Sequence, residues 1–223
     1  MSFWHGVPLR VEESDAYNFV TEIPLGTNAK WEVYKDGHYN PIKQDTNEDG
    51  SLRYYAGGST PGVAPDGNVW FNYGMFPQTW EGPELKSAEG YGGDKDPLDV
   101  IEIGSTPLAR GSVTPVKVLG SLELIDEGEN DSKVIVLRTS DPLAATVDAL
   151  GDVDPAVTAR LVDWLKNYDP ADGVHEIGHG EAPYSVEDTV AFIDACHASW
   201  KKLVENGKEN ARHYGYSLPK PWD

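Results

Sequence analysis

Gly93-Asp94-Lys95-Asp96-Pro97-Leu98-Asp99-Val100-Ile101-Glu102-Ile103 places three aspartates within six residues and then runs straight into an alternating apolar segment. Taken alone, the acidic half reads as a solvated turn, because Asp and Pro favour turns and a charge run is ordinarily a solvated face. The continuation changes that reading. Leu98 to Ile103 has the period of a half-buried strand, Pro97 stiffens its entry, and Tyr91-Gly92-Gly93 leads in as loop. Acids on the mouth of a rigid strand can hold an ion that a floppy turn cannot. With further acids at Asp126 and Asp131, folding would bring together carboxylates that repel unless a counter-charge intervenes. Mg²⁺ suits hard oxygen ligands and keeps several waters. The expectation is a magnesium-dependent enzyme of phosphate chemistry.

Outward from this stretch, the first two-thirds of the chain reads as strands and loops punctuated by Gly and Pro, as at Gly57 to Gly62 and Gly90 to Gly93. Alternation predicts strands at Ala29 to Lys35, Val69 to Phe76, Leu98 to Ile103, Val113 to Ile125 and Val134 to Arg138, a pattern closer to a small barrel than to a parallel layered sheet. In the first of these, a period of two sets Lys30, Glu32 and Tyr34 on one face and Ala29, Trp31 and Val33 on the other. Helical signals come late: after Ser140 or Asp141, from Asp154 to about Asn167, and from Ser185 to about Glu205. The last has a Ser185/Asp188 capping pair, apolar residues at helical spacing and Gly207 as a stop. The end near Leu218 to Trp222 reads as extended.

The 223 residues, 39% hydrophobic, suffice for one well-filled core, and no break in composition demands a second. A single domain over 1–223 is expected. Lys and Arg number 18 against 37 Asp and Glu, a net charge of −19, which disfavours nucleic acid and anionic membrane as partners. Few cations are available to meet an anionic substrate, so each must be placed deliberately. No stretch approaches membrane-spanning length, and the start, Met1 to His5, lacks a basic segment followed by an apolar run. The lone Cys196 rules out an internal disulfide framework. A cytoplasmic location is expected.

Two motifs mislead. Asp45-Thr46-Asn47-Glu48-Asp49-Gly50-Ser51 approaches a calcium loop, but Ala56 stands where the bidentate Glu belongs, so a hairpin turn at Asp49-Gly50 is the better reading. His175-Glu176-Ile177-Gly178-His179 spells the zinc-protease pattern. That chemistry needs a helix, and Gly173, Gly178, Gly180 and Pro183 make a poor one.

With these residues assembled, the chain resembles the family I soluble inorganic pyrophosphatases, particularly the fungal and animal branch. Gly93 to Val100 matches the family signature, with aspartates at its first, third and sixth positions. The likeness extends in order through Glu22-Ile23-Pro24, Thr27 to Glu32, Asn40 to Asp45, Asn72 to Trp80 and Asp126 to Lys133, covering about residues 15 to 205. The resemblance implies a mainly β fold with α (α+β), a distorted five-stranded OB-like barrel with helices packed outside. It also implies Mg²⁺-dependent hydrolysis of pyrophosphate, a small-molecule phosphate anhydride, to two phosphates by a metal-activated water. By position, Asp94, Asp99, Asp126 and Asp131 correspond to metal ligands, Glu32 lies near a further metal, and Glu22 is a supporting acid. The resemblance implies that Asp96 is the base, that Lys30, Arg53, Tyr73 and Tyr168 take phosphoryl oxygens and that Lys133 sits near metals and substrate, with Lys30, Arg53 and Tyr73 joining Asp96 in the catalytic set.

The chain departs from the family pattern at two places. A Tyr-Lys pair usual in the family is Tyr168-Asp169 here, an anion for a cation, with Lys166 the candidate replacement. A Tyr expected four residues before Tyr73 is Val69, beside a long Gly- and Pro-rich loop from Gly57 to Asn68. These departures carry the alternatives of an enzyme for an organic diphosphate or phosphate ester and a non-catalytic metal-binding relative. Members commonly pair through an aromatic after Glu-Ile-Pro; Leu25-Gly26 stands there, leaving a monomer or homodimer.

Overall fold

In the computed structural model, which describes residues 1–58, 60–169 and 173–219, five strands close on themselves through hydrogen bonds. In chain order the strands are β1 (Tyr17–Ile23), β2 (Trp31–Val33), β3 (Ile42–Gln44), β4 (Asn72–Met75), β5 (Asp99–Glu102), β6 (Val113–Asp126), β7 (Glu129–Arg138) and β8 (Glu176–Ile177). The ring runs β1-β4-β5-β7-β6 and back to β1, with β8 added to β6 and with β2 and β3 as a separate hairpin. Within the ring only β5 and β7 run parallel. Helices α1 (Pro155–Asn167), α2 (Val186–Glu205) and α3 (Gly207–Tyr214) complete the mixed α+β barrel.

Ring membership corrects the sequence reading. The strand expected at Ala29 to Lys35 shortens to Trp31–Val33 and pairs only with Ile42–Gln44. Its place in the ring belongs to Tyr17–Ile23. That segment shows no alternation because both of its faces are buried: Tyr17, Phe19, Val20 and Ile23 enter the core while Thr21 and Glu22 are buried polar residues between them. The last ring strand also begins early. Glu127 and Gly128 turn with φ of +48° and +79°, the two left-handed residues that a type I′ hairpin needs. Pairing therefore starts at once, Asp126 opposite Glu129, so β7 opens at Glu129 and not at Val134.

Period two along these strands fixes where the acids go. Leu122, Leu124 and Asp126 share one face of β6; Asp131, Lys133 and Ile135 share one face of β7; Asp99 and Ile101 share one face of β5. The apolar members join Ile23, Phe71, Trp164 and Leu165 in one buried cluster. Each fully buried Ile or Leu contributes roughly 1.5–3 kcal/mol. The core that anchors the three strands thereby aims the charged ends of the same rows. On the opposite face Val100, Val134 and Val136 meet Phe19, Phe76 and, from α2, Ile193 and Cys196.

The helices follow their caps. Asp154 accepts the Ala156 N–H at 2.9 Å with Pro155 in the first turn, and Ser185 accepts the Asp188 N–H at 3.1 Å. After Asp141 there is no α-helix before α1, only two short 3₁₀ turns, Pro142–Ala145 and Leu150–Asp152. Gly207 is not the stop: α2 ends at Glu205, capped by Asn206, and Gly207 opens α3. Leu218 and Pro219 carry no regular structure, and the remainder of the end read as extended, Lys220 to Trp222, lies outside the described residues. Among the described residues no helix is long and apolar enough to cross a membrane.

Candidate active site

The acidic loop is held by backbone groups on both sides. Lys95 N–H donates to the Glu81 carbonyl at 2.9 Å, Glu81 N–H donates to the Asp96 carbonyl at 2.8 Å, and Asp96 N–H donates to Asp94 Oδ1 at 2.9 Å. A Cβ at Gly93 would lie 2.3 Å from the Glu81 carbonyl oxygen, so only glycine allows the loop to sit this close. One cavity of about 200 Å³ opens beside it. Asp94, Asp96, Asp99, Asp126, Asp131, Glu32, Lys30, Arg53, Tyr73, Lys133 and Tyr168 all line it, as does Glu22. The metal, substrate and catalytic residues nominated from the sequence therefore line one space.

On the strand side Glu81 is buried and Asp94 and Asp131 are half-buried. Carboxylate oxygens of Glu81, Asp94 and Asp131 lie within 4.8 Å of one another. Glu81 Oε1 accepts the Ser132 N–H at 3.2 Å, while its buried Oε2 has no hydrogen-bond partner among the described residues. Burial first, then the neighbouring Asp94 and Asp131 charges, pushes the Glu81 carboxyl well above its ordinary range. Burial and then Asp131 do the same to Asp94, and burial raises Asp131 to about 6 against the opposing pull of Lys133. Such crowding is relieved by a cation. The all-oxygen donor set and the orphaned Oε2 fit a hard divalent ion, with Glu81, Asp94 and Asp131 able to hold it.

Lys133 supplies a protein cation to the same wall. Its buried ammonium lies 2.6 Å from Asp99 Oδ2 and also meets Asp131 Oδ1, and Tyr73 O–H donates to Asp99 Oδ2 at 2.5 Å. Tyr168 O–H donates to Asp126 Oδ2 at 3.0 Å. Burial, ahead of adjacent carboxylates, pushes both phenols up, so both remain protonated donors. Glu22 is buried and its Oε1 accepts the Val33 N–H at 2.7 Å, which ties the β2–β3 hairpin to the ring.

The hairpin side differs. Lys30 Nζ lies 3.4 Å from both Glu32 and Asp45, and Arg53 lies 3.3 Å from Asp45 and 2.8 Å from Asp169. Asp169 thus occupies the guanidinium proposed to grip phosphate. Lys166 does not compensate: its ammonium bonds Glu181 at 2.6 Å. Val69 is buried in the core and is absent from the cavity wall, so the departure there opens no room.

Sequence reasoning missed Glu81, Lys35, Tyr55 and His175. Glu81 directly follows the Asn72 to Trp80 segment, an acid in an aromatic context. Lys35 pairs with Asp96, although strict alternation put it on the face opposite Lys30; the strand ends at Val33 and the chain turns. Tyr55 lines the cavity. His175 stacks on Tyr168 at 4.8 Å, with Nε2 3.5 Å from Asp126. Its motif is no zinc helix: Glu176–Ile177 is strand β8, followed by a 3₁₀ turn with Gly180 at φ +62°. The hairpin reading of Asp49-Gly50 agrees with Asn47 N–H bonding the Ser51 carbonyl and Gly50 at φ +82°.

Comparison with known proteins agrees with this geometry. The family model described as inorganic pyrophosphatase matches residues 19–201. An inorganic pyrophosphatase of Drosophila melanogaster is 42% identical over 208 residues, 90% of this chain and 60% of that protein. Soluble inorganic pyrophosphatase 6, chloroplastic, of Arabidopsis thaliana is 38% identical over 92% of this chain and 67% of its own length. The chain thus spans 60 and 67% of these two relatives. The crystal structure of type I inorganic pyrophosphatase from Toxoplasma gondii superposes with a TM-score of 0.83 at 37% identity, covering 91% of this chain and 88% of that one. With the signature acids gathered at one cavity and the family model spanning most of its length, the chain belongs to the inorganic pyrophosphatases of family I, an enzyme family.

Proposed function

We propose that this chain hydrolyses inorganic pyrophosphate to two phosphates with Mg²⁺ as cofactor, and that Asp96 takes the proton of the attacking water. The observation that carries the proposal is the convergence of the sequence-nominated acids, cations and phenols on one cavity of about 200 Å³. Asp94, Asp99, Asp126 and Asp131 would hold the metal with Glu81 beside them, and Glu32 would serve a further ion. Bound Mg²⁺ lowers the pKa of a coordinated water and offsets the charge of the anhydride.

The chain's own groups have distinct tasks. Among the described residues the cavity is lined by seven carboxylates against Lys30, Arg53 and Lys133, and each cation is already engaged by an acid. A free polyanion would be repelled, so the site suits a substrate that arrives with counter-ions. Asp96, at the cavity's edge with a side chain 44% exposed, can accept a proton and release it to solvent. Lys30, Arg53, Lys133, Tyr73 and Tyr168 donate to phosphoryl oxygens, most strongly where negative charge grows on the leaving phosphate.

An organic diphosphate is the poorer reading, because Val69 lies in the core and the cavity wall is mostly ionic. We take residues 1–223 as one domain, present in the cytoplasm as a monomer or homodimer. The single, buried Cys196 suits a reducing compartment. Phosphate release measured with Mg²⁺ from pyrophosphate and from a panel of organic diphosphates tests the assignment. Rapid release from pyrophosphate alone is expected. Preference for an organic substrate, or silence while Mg²⁺ still binds, overturns it.

A further inference from the structure

We infer that Lys35 and Tyr216 are positioning residues that hold the loop presenting Asp96, an inference that rests on the reading of Asp96 as base. Lys95, the residue before it, has φ of +72°, a left-handed conformation that non-glycine residues adopt only where the surroundings impose it. Its carbonyl accepts the Tyr216 O–H at 2.8 Å and the Lys35 ammonium at 3.3 Å. The same ammonium meets Asp96 Oδ1. One side chain therefore fixes both the peptide before the base and the carboxylate itself. Lys35 is not part of the cavity wall, so it reaches the reaction only through Asp96.

The clasp has its own support. Ser217 N–H donates to the Lys35 carbonyl at 2.8 Å, and Asn40 Nδ2 bonds the carbonyls of both Lys35 and Ser217, at 2.9 and 3.1 Å. The Tyr216 ring lies 5.3 Å below the Lys35 ammonium and edges against the buried Trp4 at 5.7 Å. Gly215, at φ +78°, turns the chain from α3 back across the loop. A segment more than a hundred residues away in sequence thus sets the direction of the base. A carboxylate free to swing loses turnover without losing substrate affinity, since proton transfer needs hydrogen-bond reach whereas binding does not use Asp96.

The test is steady-state kinetics on full-length K35M, K35R, Y216F and D96N. K35M should lower kcat about tenfold or more with KM for magnesium pyrophosphate changed less than about twofold, and K35R should restore most of the loss. Y216F, lacking one oxygen, should show a smaller fall of the same kind. If D96N is slow while K35M and Y216F turn over like wild type, the positioning role is wrong. A K35M defect confined to KM also overturns it, by making Lys35 a binding residue. Should K35M fail to fold, Y216F decides alone, unchanged kcat being the contrary result. Wild-type turnover in D96N would instead remove the base assignment.

Discussion

The two walls of the cavity handle charge in opposite ways. The strand wall, with Asp94, Asp99, Asp131 and Lys133, grows from ring strands and the loop entering them, and with the buried Glu81 beside them its acids are crowded beyond what one lysine can balance. The hairpin wall presents Lys30 and Arg53 from the segments flanking the separate β2–β3 sheet, and both cations are already paired, with Asp45 beside that sheet and, for Arg53, with Asp169 just past α1. The difference shows up in proton affinity. Asp131 is raised to about 6, whereas Asp45, despite the opposing effect of burial, is held below its ordinary value by Lys30, the Thr46 N–H and Arg53. The strand wall wants a cation. The hairpin wall must give one up to bind phosphate.

The largest effect should come from removing a member of the strand wall. Asp131→Asn is expected to weaken Mg²⁺ binding at least about 100-fold by calorimetry while the metal-free melting temperature does not fall, because a repulsive charge has gone. Intact Mg²⁺ affinity would break the contrast between the walls. Next, Asp96→Asn should slow turnover about 100-fold or more with Mg²⁺ affinity unchanged, which separates proton transfer from metal holding.

On the hairpin wall the effect is smaller. Asp169→Lys frees Arg53 from its 2.8 Å contact and adds a cation, so KM for magnesium pyrophosphate should fall about fivefold. An unchanged KM would mean that Arg53 does not meet substrate.

The smallest effect is a pH dependence. Asp131 binds its proton more tightly when folded, about 6 against an ordinary 3.8, so its penalty on the metal-free fold is absent below about pH 4 and complete above about pH 6. Asp45, shifted the other way, contributes stability that is present at neutral pH and lost on acidification. Mg²⁺ competes with the strand wall's protons. The rise in melting temperature that it causes should therefore grow by a few degrees between about pH 5 and pH 7. A rise that shrinks over that range contradicts the assignment of these carboxylates.

Legibility in the sequence followed how local each feature is. The signature acids, the Ser185 cap and the alternation of β5 and β6 are contiguous patterns, and their meaning survives folding. Alternation announced a strand at Trp31–Val33 but carries no information about partners, so the hairpin was placed in the ring. Tyr17–Ile23, buried on both faces, had no period to read. A glycine after a helix ordinarily ends it, yet Asn206 makes the break and Gly207 enters α3. At the site, the metal-wall residues were nominated because the motif and the resemblance agree on them. Glu81 was missed because its link to Asp94 and Asp131 exists only after folding. Asp169 was flagged as an anion in place of a cation, but its pairing with Arg53, 116 positions away, likewise exists only after folding.

Everything proposed for the site requires that these acids surround a divalent ion. Crystals of the protein soaked in Mn²⁺ as an anomalous stand-in for Mg²⁺ test it directly. An anomalous peak is expected among the carboxylates of Glu81, Asp94 and Asp131, within reach of Asp99. Manganese bound only at other surfaces, with nothing among those carboxylates, would contradict it.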